Sequence, residues 1–266
     1  MEILTAYVRK NSSVEVVENR KVMHLAMHIQ SNESTIREVP EERKISLDIQ
    51  AVLTVLGERK YSFNDGEYKC LNLKNAHLEG TDLREANLKG ADLSDAHLEK
   101  ASLREANLER ANLFMAHLEW ADLSKAHLEE AHLSEAHLEG AHLNKAYLEW
   151  ANLFMTHLEG ADLNEAYLEE ADLNETYLKG ADLYEAHLEG ANLIKAHLEW
   201  AHLIKAHLEG VNLDGAELWG AHLEGAKNLT VDQLSKVKTL YNATLDPELE
   251  KPLREKYPAL FDKPDN

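Results

Sequence analysis

The sequence predicts an all-β solenoid, a four-sided parallel β-helix with short α-helical caps at both ends. Three observations carry this. First, from Leu71 to Gly225 the chain is 31 consecutive five-residue units without an insertion, as in AHLEGAHLNKAYLEWANLFM at 136–155. The third position is Leu in all 31, and the first is Ala in 26, the exceptions being Leu71, Thr81, Thr156, Thr176 and Val211. Second, a period of five suits no α-helix. Five residues advance about 140° round a helix, so the leucines would spiral and bury no single face. In extended chain, alternate residues share a side, so the first and third positions point inward and the second outward. The fourth and fifth positions turn a corner. Third, the outer residues repeat at multiples of 20. ANLFM at 111 returns at 151, and second-position His77, His97, His117, His137 and His157 are each 20 apart. Four units per coil satisfy both. No unit buries its own Leu, so coils must stack. At about 4.8 Å per stacked strand, roughly eight coils give a rod of about 40 Å.

The elements follow in chain order. Residues 1–60 form an N-terminal flank. Within it, RKISLDIQAVLTVLGERK places Ile45, Ile49, Val52, Leu53 and Leu56 at helical spacing, with Gly57 as the C-cap. This helix is expected to cover the open end of the core, which would otherwise expose unpaired backbone. The solenoid is expected over 61–225, since YSFND and GEYKC already place Phe63 and Tyr68 in the central slot. Residues 226–266 form the C-terminal cap. Thr230 is the N-cap of VDQLSKV, and Asp246-Pro247 opens a second helix into ELEKPLREKYPALF, which Pro252 is expected to kink or split.

The frame A-[DNH]-L-x-x resembles that of the pentapeptide-repeat proteins, a family of right-handed four-sided β-helices. The resemblance covers residues 71–225 and matches the inward Ala/Leu pair. His departs from the family pattern at the second position, where Asp or Asn is commoner. The flanks resemble those of bacterial members, some of which carry a membrane segment upstream of an LTAYVR-like stretch. MEILTAYVRK is too polar and short for a signal peptide, and the chain has no apolar run near the length of a membrane span. A cytoplasmic location and no membrane insertion are expected. The single cysteine, Cys70, excludes an internal disulfide.

Charge narrows the function further. Of the net −20, the repeats carry 22 Glu and 8 Asp against 8 Lys and 3 Arg, a net of −19. Direct nucleic-acid binding is disfavoured, because phosphate neutralisation needs a basic patch. On a four-sided coil the fourth-position glutamates fall into two columns on opposite faces. One holds Glu79, Glu99, Glu119, Glu139, Glu159 and Glu199; the other holds Glu109, Glu129, Glu149, Glu169, Glu189 and Glu209. The charge per length is close to that of duplex DNA, at about one per 1.7 Å. Some pentapeptide-repeat proteins imitate DNA and act on type II topoisomerases such as gyrase, so the resemblance implies this role as an alternative.

Thirteen of the 15 histidines occupy the second position. Stacked on one face, His97, His117 and His137 are candidates for opportunistic Zn²⁺ or Ni²⁺ binding, and a surface metal-binding module is a third reading. Phe114, Met115, Phe154, Met155 and Ile194 share one edge, and Trp120, Trp150 and Trp200 stand at corners. They are either contacts for a protein partner or side chains lying flat over neighbouring backbone. Ten of the 12 glycines fill the fifth position, but Lys, Glu and Trp occur there too. The corner is therefore not expected to require positive φ in every unit. No nucleotide loop, zinc-protease helix or serine elbow appears, so no catalytic residue and no cofactor is expected. The leading expectation is a non-enzymatic scaffold that binds a protein partner, possible also as an end-to-end homodimer.

Overall fold

A computed structural model describes residues 71–264. The expected N-terminal helix and the first repeats of 61–70 lie outside the described residues. Parallel bridges join each second-position residue to the one 20 residues on, as in Asn72 with Asp92, His77 with His97, Asp82 with Ser102, and Asn87 with Asn107. The register therefore gives four faces. Face one carries 71–73 and its 20-residue echoes, face two 76–78, face three 81–83 and face four 86–88. Corner one follows face one, and so on round the coil. The fold is the right-handed quadrilateral β-helix.

The backbone explains why the unit has five residues. Asp92 N–H donates to Leu71 O at 2.8 Å, and Leu73 N–H donates to Asp92 O at 2.7 Å. The fifth residue also bonds across coils, Asn75 N–H to Ser94 O at 3.0 Å. Within the unit, Ala76 N–H closes the corner onto Leu73 O at 3.0 Å. The buried chain thus satisfies its polar groups while turning about a quarter circle per unit.

All 31 central leucines are buried, none more than 3% exposed. Each contributes about 2 kcal/mol by leaving water. The first position is as closed, and its three threonines are admitted because each hydroxyl finds a carbonyl. Thr81 Oγ1 donates to Leu78 O at 2.7 Å, Thr156 to Leu133 O and Thr176 to Leu153 O, both at 2.8 Å.

The corners correct the expectation about glycine. Every fifth-position residue from Asn75 to Gly225 has positive φ, between 53° and 72°. Twenty-one of them are not glycine. A non-glycine residue pays about 1–2 kcal/mol for this conformation. The shared reason is the corner itself: with only two residues to turn about a quarter circle and a hydrogen bond to close, the second must turn left-handed. Local preference yields because the Leu on one side and Ala on the other are locked into the core.

The C-terminal end is covered as expected, with changes in the helices. Helix α1 spans only Val231–Leu234. Thr230 accepts from Gln233 N–H, and Gln233 returns the contact to the Thr230 backbone. Gln233 Nε2 also donates to Leu208 O and Val211 O, tying the cap to the last coil. Helix α2 runs Pro247–Lys256 and keeps Pro252 inside it without splitting. It stops short of the expected PALF stretch, because Pro258 starts a separate 3-10 turn over Pro258–Phe261. Asp246 makes no cap bond; instead its carboxylate accepts from Gly225 N–H at 3.1 Å, pinning the start of α2 to the final corner. Leu240 N–H continues the ladder onto Leu260 O.

Candidate functional site: two ring stacks and their carboxylates

The second position decides how the fourth is held. Where it is Asp or Asn, its side chain accepts the fourth residue's N–H, as Asn72 Oδ1 does from Lys74 and Asn112 Oδ1 from Phe114; Asn192 departs from this, and Ile194 N–H donates instead to Asn174 Oδ1 one coil back. This local turn satisfies the corner with almost any residue in the fourth place. His and Tyr do not offer that acceptor in the same place, and there the fourth residue is usually Glu. Of the thirteen units with Glu in the fourth position, twelve carry His or Tyr in the second; the exception is Asn107–Glu109. That pairing is open to view in the sequence.

The rings form two continuous stacks on opposite faces. On face two, His77, His97, His117, His137, His157, Tyr177 and His197 stack with centroids 4.5–5.1 Å apart. On face four, His127, Tyr147, Tyr167, His187 and His207 stack at 4.3–5.1 Å. The expected columns of glutamates stand beside them. His77 and His97 each donate from Nδ1 to the Oε1 of Glu79 and Glu99 at 3.0 Å, and His127 does so to Glu129. The pairs of His117 with Glu119 and His157 with Glu159 are looser, at 3.6 Å.

The carboxylates are not free solvated charges. Oε2 is shielded from solvent and lacks a hydrogen-bond partner in Glu99, Glu119, Glu139, Glu159 and Glu199 of one column and Glu129, Glu149, Glu169 and Glu189 of the other. Two glutamates mark the extremes. Burial pushes the Glu79 carboxyl up, but the His77 hydrogen bond and the nearby imidazoles outweigh it and hold it below the ordinary range. Burial also pushes Glu149 up; its own N–H opposes this, the charges of Glu169 and Glu129 add to it, and the carboxyl stays above the ordinary range. Glu149 has Tyr147 in place of a histidine. Lys89, which interrupts the face-four column, pairs with Glu109 at 2.7 Å.

Fifth-position side chains lean along the rod. Arg110 clasps Glu130 one coil on with two bonds of 2.7 and 2.9 Å. Lys205 reaches Glu185, and Lys195 reaches Glu175, at 3.0 and 3.2 Å.

The predicted aromatic contacts fall unevenly. Trp120 and Trp200 share corner two, which closes face two, and are 63% and 46% exposed. Each indole lies across the glycine of the next coil: a Cβ on Gly140 would meet Trp120 Cζ3 at 2.6 Å, and one on Gly220 would meet Trp200 Cε3 at 2.5 Å. The flat packing and the outward exposure are therefore both present. Met115 and Phe154, 40% and 37% exposed, stand at corner one, which opens face two. Met155 and Ile194 belong to the same corner and are half-buried. Phe114 there stacks on His132 of face one, with centroids 5.8 Å apart. Trp150, 65% exposed, stands alone on corner four. Trp219, which drew no attention in the sequence, sits between Trp200 and Tyr241 near the cap, 6.2 and 5.8 Å from them.

Among the described residues no helix is long and apolar enough to cross a membrane. The surface depressions, such as the one lined by Glu199, Trp219, Lys238 and Asp262, lie open to solvent.

A coil of this kind, with uniform Ala and Leu inside and variable corners outside, defines a repeat scaffold. The chain belongs to the pentapeptide-repeat family: eight copies of Pentapeptide repeats match it over residues 71–99, 91–129, 121–160, 151–190 and 191–227. Among solved structures it is similar to HetL, a pentapeptide repeat protein involved in heterocyst differentiation regulation from the cyanobacterium Nostoc. The identity is 34%, over 67% of this chain and 84% of that one, with a TM-score of 0.39. It is also similar to QnrB1, a plasmid-mediated fluoroquinolone resistance protein, at 16% identity over 68% and 96% of the chains and a TM-score of 0.45. A pentapeptide repeat protein of the Arabidopsis thaliana thylakoid lumen is 24% identical over 50% and 71%, with a TM-score of 0.29. No curated protein matches the chain.

Proposed function

We propose that the rod is a non-enzymatic protein-binding scaffold that engages its partner through face two. The observation that carries this reading is the distribution of exposed apolar side chains. Met115 and Phe154 flank one edge of that face, and Trp120 and Trp200 flank the other. Exposed apolar groups concentrated on one side favour a contact surface, and Trp is the residue most often found at binding hot spots. The indoles of Trp120 and Trp200 are already seated on glycines, so less side-chain freedom is lost on docking. Capture and cross-linking with three chains test the proposal. A partner held by the unmodified chain and by Trp150→Ala, but lost with Trp120→Ala/Trp200→Ala, is the expected result. Equal capture by all three would remove face two as the contact.

The second reading, an acidic DNA mimic acting on a type II topoisomerase, is favoured by the net −19 of the repeats. Phosphate-like recognition needs exposed anions, however, and the column glutamates keep one oxygen shielded. This weighs toward the scaffold. A gyrase supercoiling assay separates the two: unchanged activity at micromolar chain would discard mimicry.

A further inference from the structure

Face two also repeats a chemical unit: two imidazoles, one coil apart, with a carboxylate between them. We propose that it binds divalent transition-metal ions, Zn²⁺ being the best fit, at His97–Glu99–His117 and at His137–Glu139–His157.

In each triad one ligand atom from every residue lies within 4.8 Å of the others. Two imidazole nitrogens and one carboxylate oxygen are the donors of an open zinc site, with water completing the tetrahedron. The carboxylate is already aimed at the rings, with His97 Nδ1 3.0 Å from Glu99 Oε1 and His137 Nδ1 3.4 Å from Glu139 Oε1. Its other oxygen is shielded and unpartnered in both glutamates. A cation beside Oε1 offsets the cost of holding that charge half out of water.

Metal bonds of about 2.0–2.1 Å require donors roughly 3.3 Å apart, so the second ring must turn its Nδ1 inward from the parallel stack. The fold permits that turn. On face four, His187 and His207 are tilted by 28°, and their Nδ1 atoms stand 3.8 and 3.0 Å from the same Glu189 Oε1. Two imidazoles one coil apart thus converge on one carboxylate with the backbone ladder intact.

Charge selects among the candidate triads. At His187–Glu189–His207, the Lys227 ammonium donates to His207 Nε2 at 2.7 Å and repels an incoming cation. At His197–Glu199–Glu217, Lys238 already occupies Glu217 at 2.7 Å. His77–Glu79–His97 competes for the single Nδ1 of His97. Among the described residues, two ions per chain result. Each bound imidazole carries its proton on Nε2 and gives the Nδ1 lone pair to the metal, so the Nδ1 proton now held toward Glu leaves or moves to Nε2. Uptake should therefore release protons and weaken in acid. Each ion also ties one coil to the next, so it should raise the melting temperature.

Calorimetric titration of ZnCl₂ into the metal-stripped full chain is expected to show two ions bound and a raised melting temperature. His97→Gln/His137→Gln leaves no two neighbouring histidines between His77 and His157, and should abolish both effects. No uptake by the unmodified chain at about 100 μM Zn²⁺, or undiminished uptake by the double variant, overturns the proposal. Should that variant fail to fold, zinc-edge X-ray absorption on the unmodified chain decides. A shell of two imidazoles with only nitrogen and oxygen donors is expected. A sulfur donor, which only Cys70 or a methionine could supply, or a single imidazole, overturns it.

Discussion

Two stretches of this rod share a backbone and differ in one side chain. On face two, His97, His117, His137 and His157 stack at 4.6–5.1 Å, each beside a fourth-position glutamate. On face four, Tyr147 and Tyr167 continue a stack at 4.7–5.1 Å beside Glu149 and Glu169. Stacking is indifferent to the exchange, because it needs only a flat ring repeated every coil. Compensation is not. An imidazole presents Nδ1 to the carboxylate, whereas the phenol puts its only polar atom at the far end of the ring. Glu79, with His77, is held below the ordinary range, and Glu149, with Tyr147, above it. The ring sets the ladder, and at Glu79 its nitrogen also lowers the neighbouring carboxyl.

The comparison collapses altogether if the shared platform is removed. Leu143 lies in the coil that carries both His137 and Tyr147, and is 1% exposed. Leu143→Asp would place an unpaired carboxylate in a single-file core, at a cost of about 3–5 kcal/mol. Several coils should melt together by circular dichroism at lower temperature. An unchanged melt would mean that the two columns do not rest on one core.

Corner two gives a smaller test. Gly160→Ala adds a Cβ with nothing within 4 Å, so only the positive φ is penalised, at about 1 kcal/mol. Gly140→Ala meets the Trp120 indole as well and should cost more, with a visible change in Trp fluorescence. Equal losses in the two variants would show that the indole is not seated on Gly140.

Tyr147→His would carry the face-two arrangement onto face four. The new Nδ1 should pair with Glu149, stabilise the chain by about 0.5 kcal/mol and bring the Glu149 carboxyl down in a carbon-13 NMR titration. A carboxyl that keeps its raised position would assign the shift to burial and the neighbouring glutamates, whatever ring stands beside it.

The smallest effect is a difference of sign between two glutamates. Glu79 has a lowered folded value, so it contributes stability above the unfolded carboxylate value of about 4.3, lost as pH falls through the folded value. Glu149 is raised, so its contribution is present below about 4.3 and lost as pH rises through the folded value. At pH 7, Glu79→Gln should therefore destabilise and Glu149→Gln stabilise. Both groups are only partly buried, so after solvent screening each amounts to about 0.3 kcal/mol. The Glu149→Gln advantage should shrink as pH is lowered toward about 4.3. Melts at low salt check this; shifts of the same sign in both variants would break the contrast.

The sequence by itself determined the core, the coil and the two acidic columns. Thirty-one leucines in one frame permit a single burial pattern, and outer residues repeating at 20 permit four sides. Burial is a property of each position in a strict repeat, so it can be read one unit at a time. The link between His or Tyr and the following Glu was also legible, but only when two positions are read as a pair. What lay beyond the sequence depends on contacts between coils. Only the stacked structure decided that every corner turns left-handed, including those of Trp120 and Arg110. It also decided that Trp120 rests on Gly140 and Arg110 on Glu130, and that four exposed apolar groups border one face. Side chains 20 residues apart meet there at van der Waals distance. Their orientation, tilt and shielding are set by the neighbouring coil, which no single unit encodes.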